Sequence, residues 1–295
     1  MGVKTPASVE AESAQTPSTT ENRIQTTITP PSGWRFPDLR EMWEFREMLY
    51  FLTLRDVRVR YKQTIVGPAW AVIRPIMQMI VFTAFFNGLL NVAPDGDAPY
   101  PIWSYAALVP WAYFATSLNG VALSLVSNAN MVKKTYFPRM LLPLTKLIVP
   151  GVDFLIAFVT LLVMMLAFGY VPTVNALWLP LFFLLMVITS LGVGLWFAAM
   201  HVQFRDAGYM VAFLVQIWLY ITPVAYPSEL LEGPAETFYM LNPMVLVVDG
   251  FRWSLIGTDT APEPINLISV AIALIVLLTG LLYFQRMEKS FADVV

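Results

Sequence analysis

LLPLTKLIVPGVDFLIAFVTLLVMMLAF, residues 141–168, decides the fold class of this chain. Only Lys146 and Asp153 in it carry charge. At about 1.5 Å per residue a helix of this length reaches past the roughly 30 Å of a bilayer's hydrocarbon core. Five other stretches read the same way: 69–92, 101–127, 174–200, 207–226 and 265–285. Pro75, Pro110 and Pro150 fall inside such stretches, which membrane helices tolerate where neighbours satisfy the freed carbonyls. Composition agrees, since 13% of residues are charged against about 25% in soluble domains. The expectation is an all-α integral membrane protein with six transmembrane helices.

The connections set an orientation. Lys133, Lys134, Arg139, Arg205, Arg286 and Lys289 fall on one side of a six-span chain. Asp95, Asp97, Glu229, Glu232, Glu236, Asp249, Asp259 and Glu263 fall on the other, with Arg252 the sole basic residue there. The positive-inside rule then places both termini in the cytoplasm. The net charge of −2 and the absence of cysteine add little, beyond excluding disulfides and thiolate chemistry.

Residues 1–37 are rich in Ser, Thr, Pro, Glu and Gln, and read as a disordered cytoplasmic tail without the apolar run of a signal peptide. Residues 38–66 read as an amphipathic interface helix. Met42, Phe45, Leu49 and Leu52 recur at helical spacing and Glu41, Glu44 and Glu47 lie elsewhere, so the helix should lie along the membrane surface. It ends in LRDVRVRYK (54–62), where Arg55, Arg58 and Lys62 share a stripe and Asp56 is placed to pair with Arg60. Residues 67–290 form the expected membrane domain. Within it, two apolar pieces near 237–248 and 251–256 are too short to cross, so 228–256 reads as short re-entrant external helices before the last span, or as an external loop with an apolar patch.

Catalytic chemistry is not visible. No glycine precedes a lysine, so there is no G-x-x-x-x-G-K-[ST] phosphate loop. The lone histidine, His201, lacks metal-ligand partners, and Asp95 and Asp97 sit in a solvated turn with Pro94 and Gly96. Lys146 and Asp153 share a helix face and read as partners of a neighbouring helix, with Lys146 reaching the membrane edge; a proton or ion site is the alternative. Two stripes stand out: Trp70, Arg74, Gln78, Phe82 and Phe85 in the first span, and Tyr209, Phe213, Gln216 and Tyr220 in the fifth. Arg and Gln do not belong on a lipid-facing stripe, so these faces line either a polar path or a helix contact. Aromatic faces suit the apolar C–H faces of sugars.

LRDVRVRYK followed by GPAWAVIRP (67–75), NMVKKTYFPRMLLP (130–143), Arg205-Asp206, TPVAYP (222–227) and NPMVLVVDGFRWSLIG (242–257) together resemble the ABC-2 type permeases that export O-antigen, capsular polysaccharide and teichoic acid. The resemblance covers about residues 40–290. It implies a homodimer with two copies of a separate ABC ATPase that holds the ATP and magnesium, in a bacterial inner membrane, with no cofactor in this chain and no nucleic-acid partner. It assigns coupling to the ATPase to Lys133, Lys134, Tyr136, Phe137 and Arg139, and the glycan channel to the two stripes. Arg55, Arg58, Arg60 and Lys62 then sit where a lipid-linked diphosphate or the anionic membrane surface would lie. The rival readings are an exporter of small lipids or drugs on the same fold, an ion-coupled transporter, and a membrane transferase.

Overall fold

The computed structural model describes residues 37–62, 64, 66–228 and 239–294. The expected disordered tail, apart from Pro37, and residues 229–238 of the re-entrant region lie outside these. Every regular element among the described residues is helical.

Two helices come first, α1 (Leu39–Glu44) and α2 (Arg46–Tyr61). Asp38 caps α1, its Oδ1 accepting from the backbone N–H of Arg40 at 2.9 Å and of Glu41 at 3.3 Å. The first span begins as a turn of 3-10 helix at Gly67, becomes α3 (Trp70–Phe82), and ends as a π-helix over Thr83–Leu89. Then come α4 (Tyr100–Leu123), the short α5 (Ala129–Lys134), α6 (Leu141–Ala167), α7 (Leu179–Gln203), α8 (Ala207–Ile221), α9 (Pro243–Ile256) and α10 (Leu267–Val294).

Five segments are long and apolar enough to cross a membrane: Gly67–Leu89, Tyr100–Leu123, Leu141–Ala167, Val174–Gln203 and Pro264–Lys289. The sixth expected span is represented by α8, which has 15 residues and falls short of the roughly 20 that hydrocarbon demands. Its first turn lies at the end of α7, where a Cβ on Gly208 would come within 2.5 Å of the His201 ring. Just past its far end, Thr222 Oγ1 accepts from Asn242 Nδ2 at 3.2 Å, next to α9.

α4 is the hub, packed against α3, α6, α7, α8 and α9. Its Ile102, Tyr105, Phe114 and Leu118 are buried in the main core with Leu161 and Met165 of α6, Met186 of α7 and Val247 and Phe251 of α9. The closest helix contact is between α7 and α10: a Cβ on Gly192 would lie 2.7 Å from Leu277 N, and one on Gly280 would lie 2.5 Å from Gly192 O. Small residues let the backbones approach, the usual device where lipid cannot drive helices together.

A second core forms at the interface-helix end. Leu52 is buried there with Val132, Phe137, Leu142, Leu195 and Phe284, and Met42, Phe45 and Leu49 pack against it. The apolar stripe of 38–62 thus meets protein. The exposed apolar residues of this segment are others: Leu39, Trp43, Tyr50, Phe51 and Val59.

Candidate functional site

The two charges of the third span are both matched by α2. Lys146 Nζ lies 2.7 Å from Asp56 Oδ2, and Asp153 is paired with Arg60 and accepts a hydrogen bond from the Tyr61 hydroxyl. Asp56 also takes Arg55 through Nε at 2.9 Å and Nη2 at 2.8 Å, and Arg55 Nη2 donates to Asn128 Oδ1 at 3.0 Å. The expected Asp56–Arg60 pair within the helix is therefore replaced by two pairs of opposite polarity between helices. A charge in a span cannot be left unmatched, so the tertiary partner outcompetes the local one. Burial works against the Asp56 charge, yet Lys146 and Arg55 hold its carboxyl below its ordinary value. Burial and the Asp153 carboxylate push the Tyr61 phenol up to about 12. Arg58 and Lys62 are exposed and have no ion-pair partner among the described residues.

The 128–140 loop is tied down on several sides. Phe137 is buried in the second core. The Tyr136 hydroxyl donates to Glu41 Oε1 of α1 at 3.2 Å. Arg139 Nη1 donates to the Glu288 carbonyl of α10 at 2.5 Å, and its backbone N–H donates to Glu288 Oε1 at 3.3 Å. Lys133 and Lys134 face outward. The loop, the interface helix and the end of the last span thus form one connected platform.

The two stripes fare differently. On α8, Tyr209, Phe213, Gln216 and Tyr220 all stay exposed on one face, opposite buried Val211 and Val215. On the first span the stripe divides. Trp70, Arg74 and Phe85 are exposed, Gln78 is half-buried, and Phe82 turns toward the main core with Ile76 and Met79. Steps of four residues drift around a helix of 3.6 per turn, so the row leaves its own face within three turns. The π-helix then shifts the register again, with Leu90 N bonded to Phe85 O at 3.1 Å.

A cleft of about 280 Å³ opens between α2, α3, α4 and α6. Arg60, Tyr61, Trp70, Arg74, Thr116 and Asp153 are among its walls. The Arg74 guanidinium sits 5.7 Å from the centre of the Trp70 ring.

At the opposite end, α9 runs unbroken through both apolar pieces expected in the re-entrant region. Asn242 caps it, accepting from Met244 N at 3.0 Å, and Gly257 ends it at φ 69°, a left-handed turn that suits glycine. Arg252, the lone basic residue of the acidic side, is fully buried. It donates to Trp103 O at 3.2 Å and Val224 O at 3.0 Å, lies 3.5 Å from Asp249, and stacks 3.3 Å over the Trp103 ring. Its exception to the charge rule was the sequence signal that it has a structural post.

A helical bundle with paired interior charges, exposed polar-aromatic faces and an interface platform defines a multi-pass membrane protein of transporter type. The profile of the ABC-2 type transporter family matches residues 47–256, and the chain belongs to that family. It is 26% identical over 249 residues to the O-antigen export system permease protein RfbA of Klebsiella pneumoniae, covering 84% of this chain and 95% of that protein. It is 26% identical over 258 residues to the protein of the same name in Myxococcus xanthus, covering 86% and 98%. Similarity to the polysialic acid transport protein KpsM of Escherichia coli is 20% over 241 residues, covering 81% and 93%.

Proposed function

We propose that this chain is the membrane subunit of an ATP-driven exporter that moves a polysaccharide or lipid-linked glycan out of the cytoplasm across a bacterial inner membrane. The observation that carries the reading is the alignment with O-antigen and polysialic acid transport proteins along nearly their whole length. Energy comes from two copies of a separate ATPase that binds ATP and magnesium, since no phosphate loop occurs in this sequence. The platform of α1, α2, the 128–140 loop and the end of α10 is the surface that meets it. Lys133 and Lys134 face outward for contact, while Tyr136, Phe137 and Arg139 transmit motion into α1 and α10.

Two copies of the chain enclose the path. Span one and α8 leave their aromatic and polar residues exposed, as faces that await a second copy. Trp70, Gln78, Phe85, Tyr209, Phe213, Gln216 and Tyr220 line the channel, and Phe82 supports it from behind. α8 and the residues after it make the sixth crossing, which puts both termini in the cytoplasm. Both charges that an ion-coupled transporter would use, Lys146 and Asp153, are committed to α2.

The test is ATP hydrolysis by the purified chain, alone and co-purified with an ATPase encoded beside it. The expected result is no hydrolysis alone and a stable stoichiometric complex that hydrolyses ATP. Failure to associate with any ATPase overturns the reading.

A further inference from the structure

Arg74 is a cation in a span with no protein anion to match it. It lies seven residues beyond Gly67, about 10 Å into the span at 1.5 Å per residue. Among the described residues it makes no ion pair and no hydrogen bond; its one described contact is the face of Trp70. An arginine stays charged in a protein, and its charge is costly at membrane depth. A ring face attracts that charge without neutralising it. The neighbouring charges do not share this condition, since Lys146 has Asp56 and Arg60 has Asp153.

Arg74 does not face a featureless surface. It forms one wall of the cleft between α2, α3, α4 and α6, whose other charged walls are Arg60 and Asp153. Two guanidinium groups and one carboxylate leave the cleft with a formal charge of +1 (2 − 1). The Thr116 side chain adds a hydroxyl that has no hydrogen-bond partner among the described residues. Ala71, Pro75, Val109, Phe154 and Ala157 make the rest of the wall largely apolar. Arginine forks bind phosphate oxygens two at a time, and the low-dielectric wall strengthens the contact.

We propose that this cleft binds a phosphate-bearing anion, held first by Arg74 and then by Arg60, which the anion draws away from Asp153. The source of the phosphate is either the diphosphate of a lipid-linked glycan, which rests on the export reading above, or a free diphosphate. Arg60 also joins α2 to α6, so an anion that claims it loosens that joint. Occupancy of the cleft is thereby felt by the interface helix. Asp153 acts as the stand-in for the ligand, and it keeps the Tyr61 hydroxyl when Arg60 leaves.

The experiment uses the full-length chain in nanodiscs of phosphatidylcholine, whose bilayer carries no net charge. Farnesyl diphosphate and inorganic pyrophosphate are titrated by calorimetry against wild type, Arg74→Gln and Asp153→Asn. The expected results are that Arg74→Gln weakens farnesyl diphosphate about ten-fold or more, the scale of one lost charge-assisted contact, and that Asp153→Asn tightens it by removing the competitor. A merely structural Asp153 would not improve binding when removed. Thermal unfolding of each variant identifies any that misfolds, and Arg74→Lys, which keeps the charge, restores part of the affinity. Tighter binding of farnesyl diphosphate than of pyrophosphate assigns the lipid-borne source, and equal binding assigns the free anion. Absence of binding by both probes, or affinity unchanged in Arg74→Gln, overturns the site. Glycan export by cells is scored separately: export that persists in Arg74→Gln with unchanged binding sinks the cleft alone. Arg74-dependent binding in a protein whose deletion leaves export intact sinks the export reading alone.

Discussion

Spans one and two are consecutive and packed together, yet they are opposite kinds of helix. In the most apolar stretch of span two 67% of residues are buried within the chain; in span one the figure is 6%. Span two is the less apolar of the pair, and the least apolar of the five candidate spans. Its aromatic and hydroxyl groups are interior ones: the Tyr100 hydroxyl donates to Ala225 O at 2.6 Å and that of Tyr113 to Leu147 O at 3.0 Å. The lesson is that hydropathy marks a segment as out of water without saying whether lipid or protein surrounds it. A helix held by protein can carry polar tips because partners satisfy them, whereas an exposed polar row needs a ligand, a second copy or a water-filled path.

Substitutions can break this contrast. The largest effect is expected at the centre of the buried network. Arg252→Ala leaves Asp249 buried without its cation and frees the Trp103 and Val224 carbonyls, a loss of about 3–5 kcal/mol. The measurement is the yield of folded protein and its midpoint of thermal unfolding, and an unchanged midpoint would refute the anchoring role.

Next comes the α7–α10 contact. Gly192→Leu forces a side chain against the Leu277 backbone and is expected to destabilise by about 1–3 kcal/mol, with Gly192→Ala intermediate. Protease resistance in detergent reads this out, and wild-type resistance in the leucine variant would contradict the close packing.

The joint between α2 and α6 is expected to be weaker. Asp56→Lys alone costs about 1–2 kcal/mol, and Asp56→Lys with Lys146→Asp recovers part of it, because the pair is restored in reverse. Hydrogen exchange of α2 measures both, and a double variant no better than the single one would refute the pairing. The folded Asp56 carboxyl is lowered, so its contribution is present above the ordinary carboxylate pKa. It is lost as pH falls below about 4, with exchange of α2 rising there.

The smallest effects on stability are expected on the exposed faces. Trp70→Ala and Tyr220→Ala should change stability by under about 0.5 kcal/mol while reducing glycan export and sparing ATP hydrolysis. Large destabilisation of the single chain would mean these rings are packing elements, and the contrast with span two would dissolve.

Much of this could be read along the chain. The apolar runs gave the helices, and the motif order pointed to the family that the profile match establishes. The pairing of Lys146 and Asp153 with a neighbouring helix was legible because unmatched charges are not tolerated in a span. The identity of the neighbour was not, since Arg60 and Asp153 lie far apart in sequence. The stripe on α8 survived folding because spacings of four, three and four follow the helical period. The one on span one did not, because repeated steps of four drift and the π-helix leaves no mark in composition. The interface helix was recognised by its period, but period alone could not say whether its apolar side met lipid or the core around Leu52 and Phe137.

The sequence by itself determined the class of solvent around each segment and the number of long apolar helices, because transfer free energies are nearly additive along a chain. Only the tertiary structure decided which charges meet, which aromatics are interior and where a cationic cleft opens. Those outcomes depend on the rotation and approach of helices that are remote in sequence, set by glycine contacts such as Gly192 with Gly280 and by buried ties such as Arg252 with Trp103.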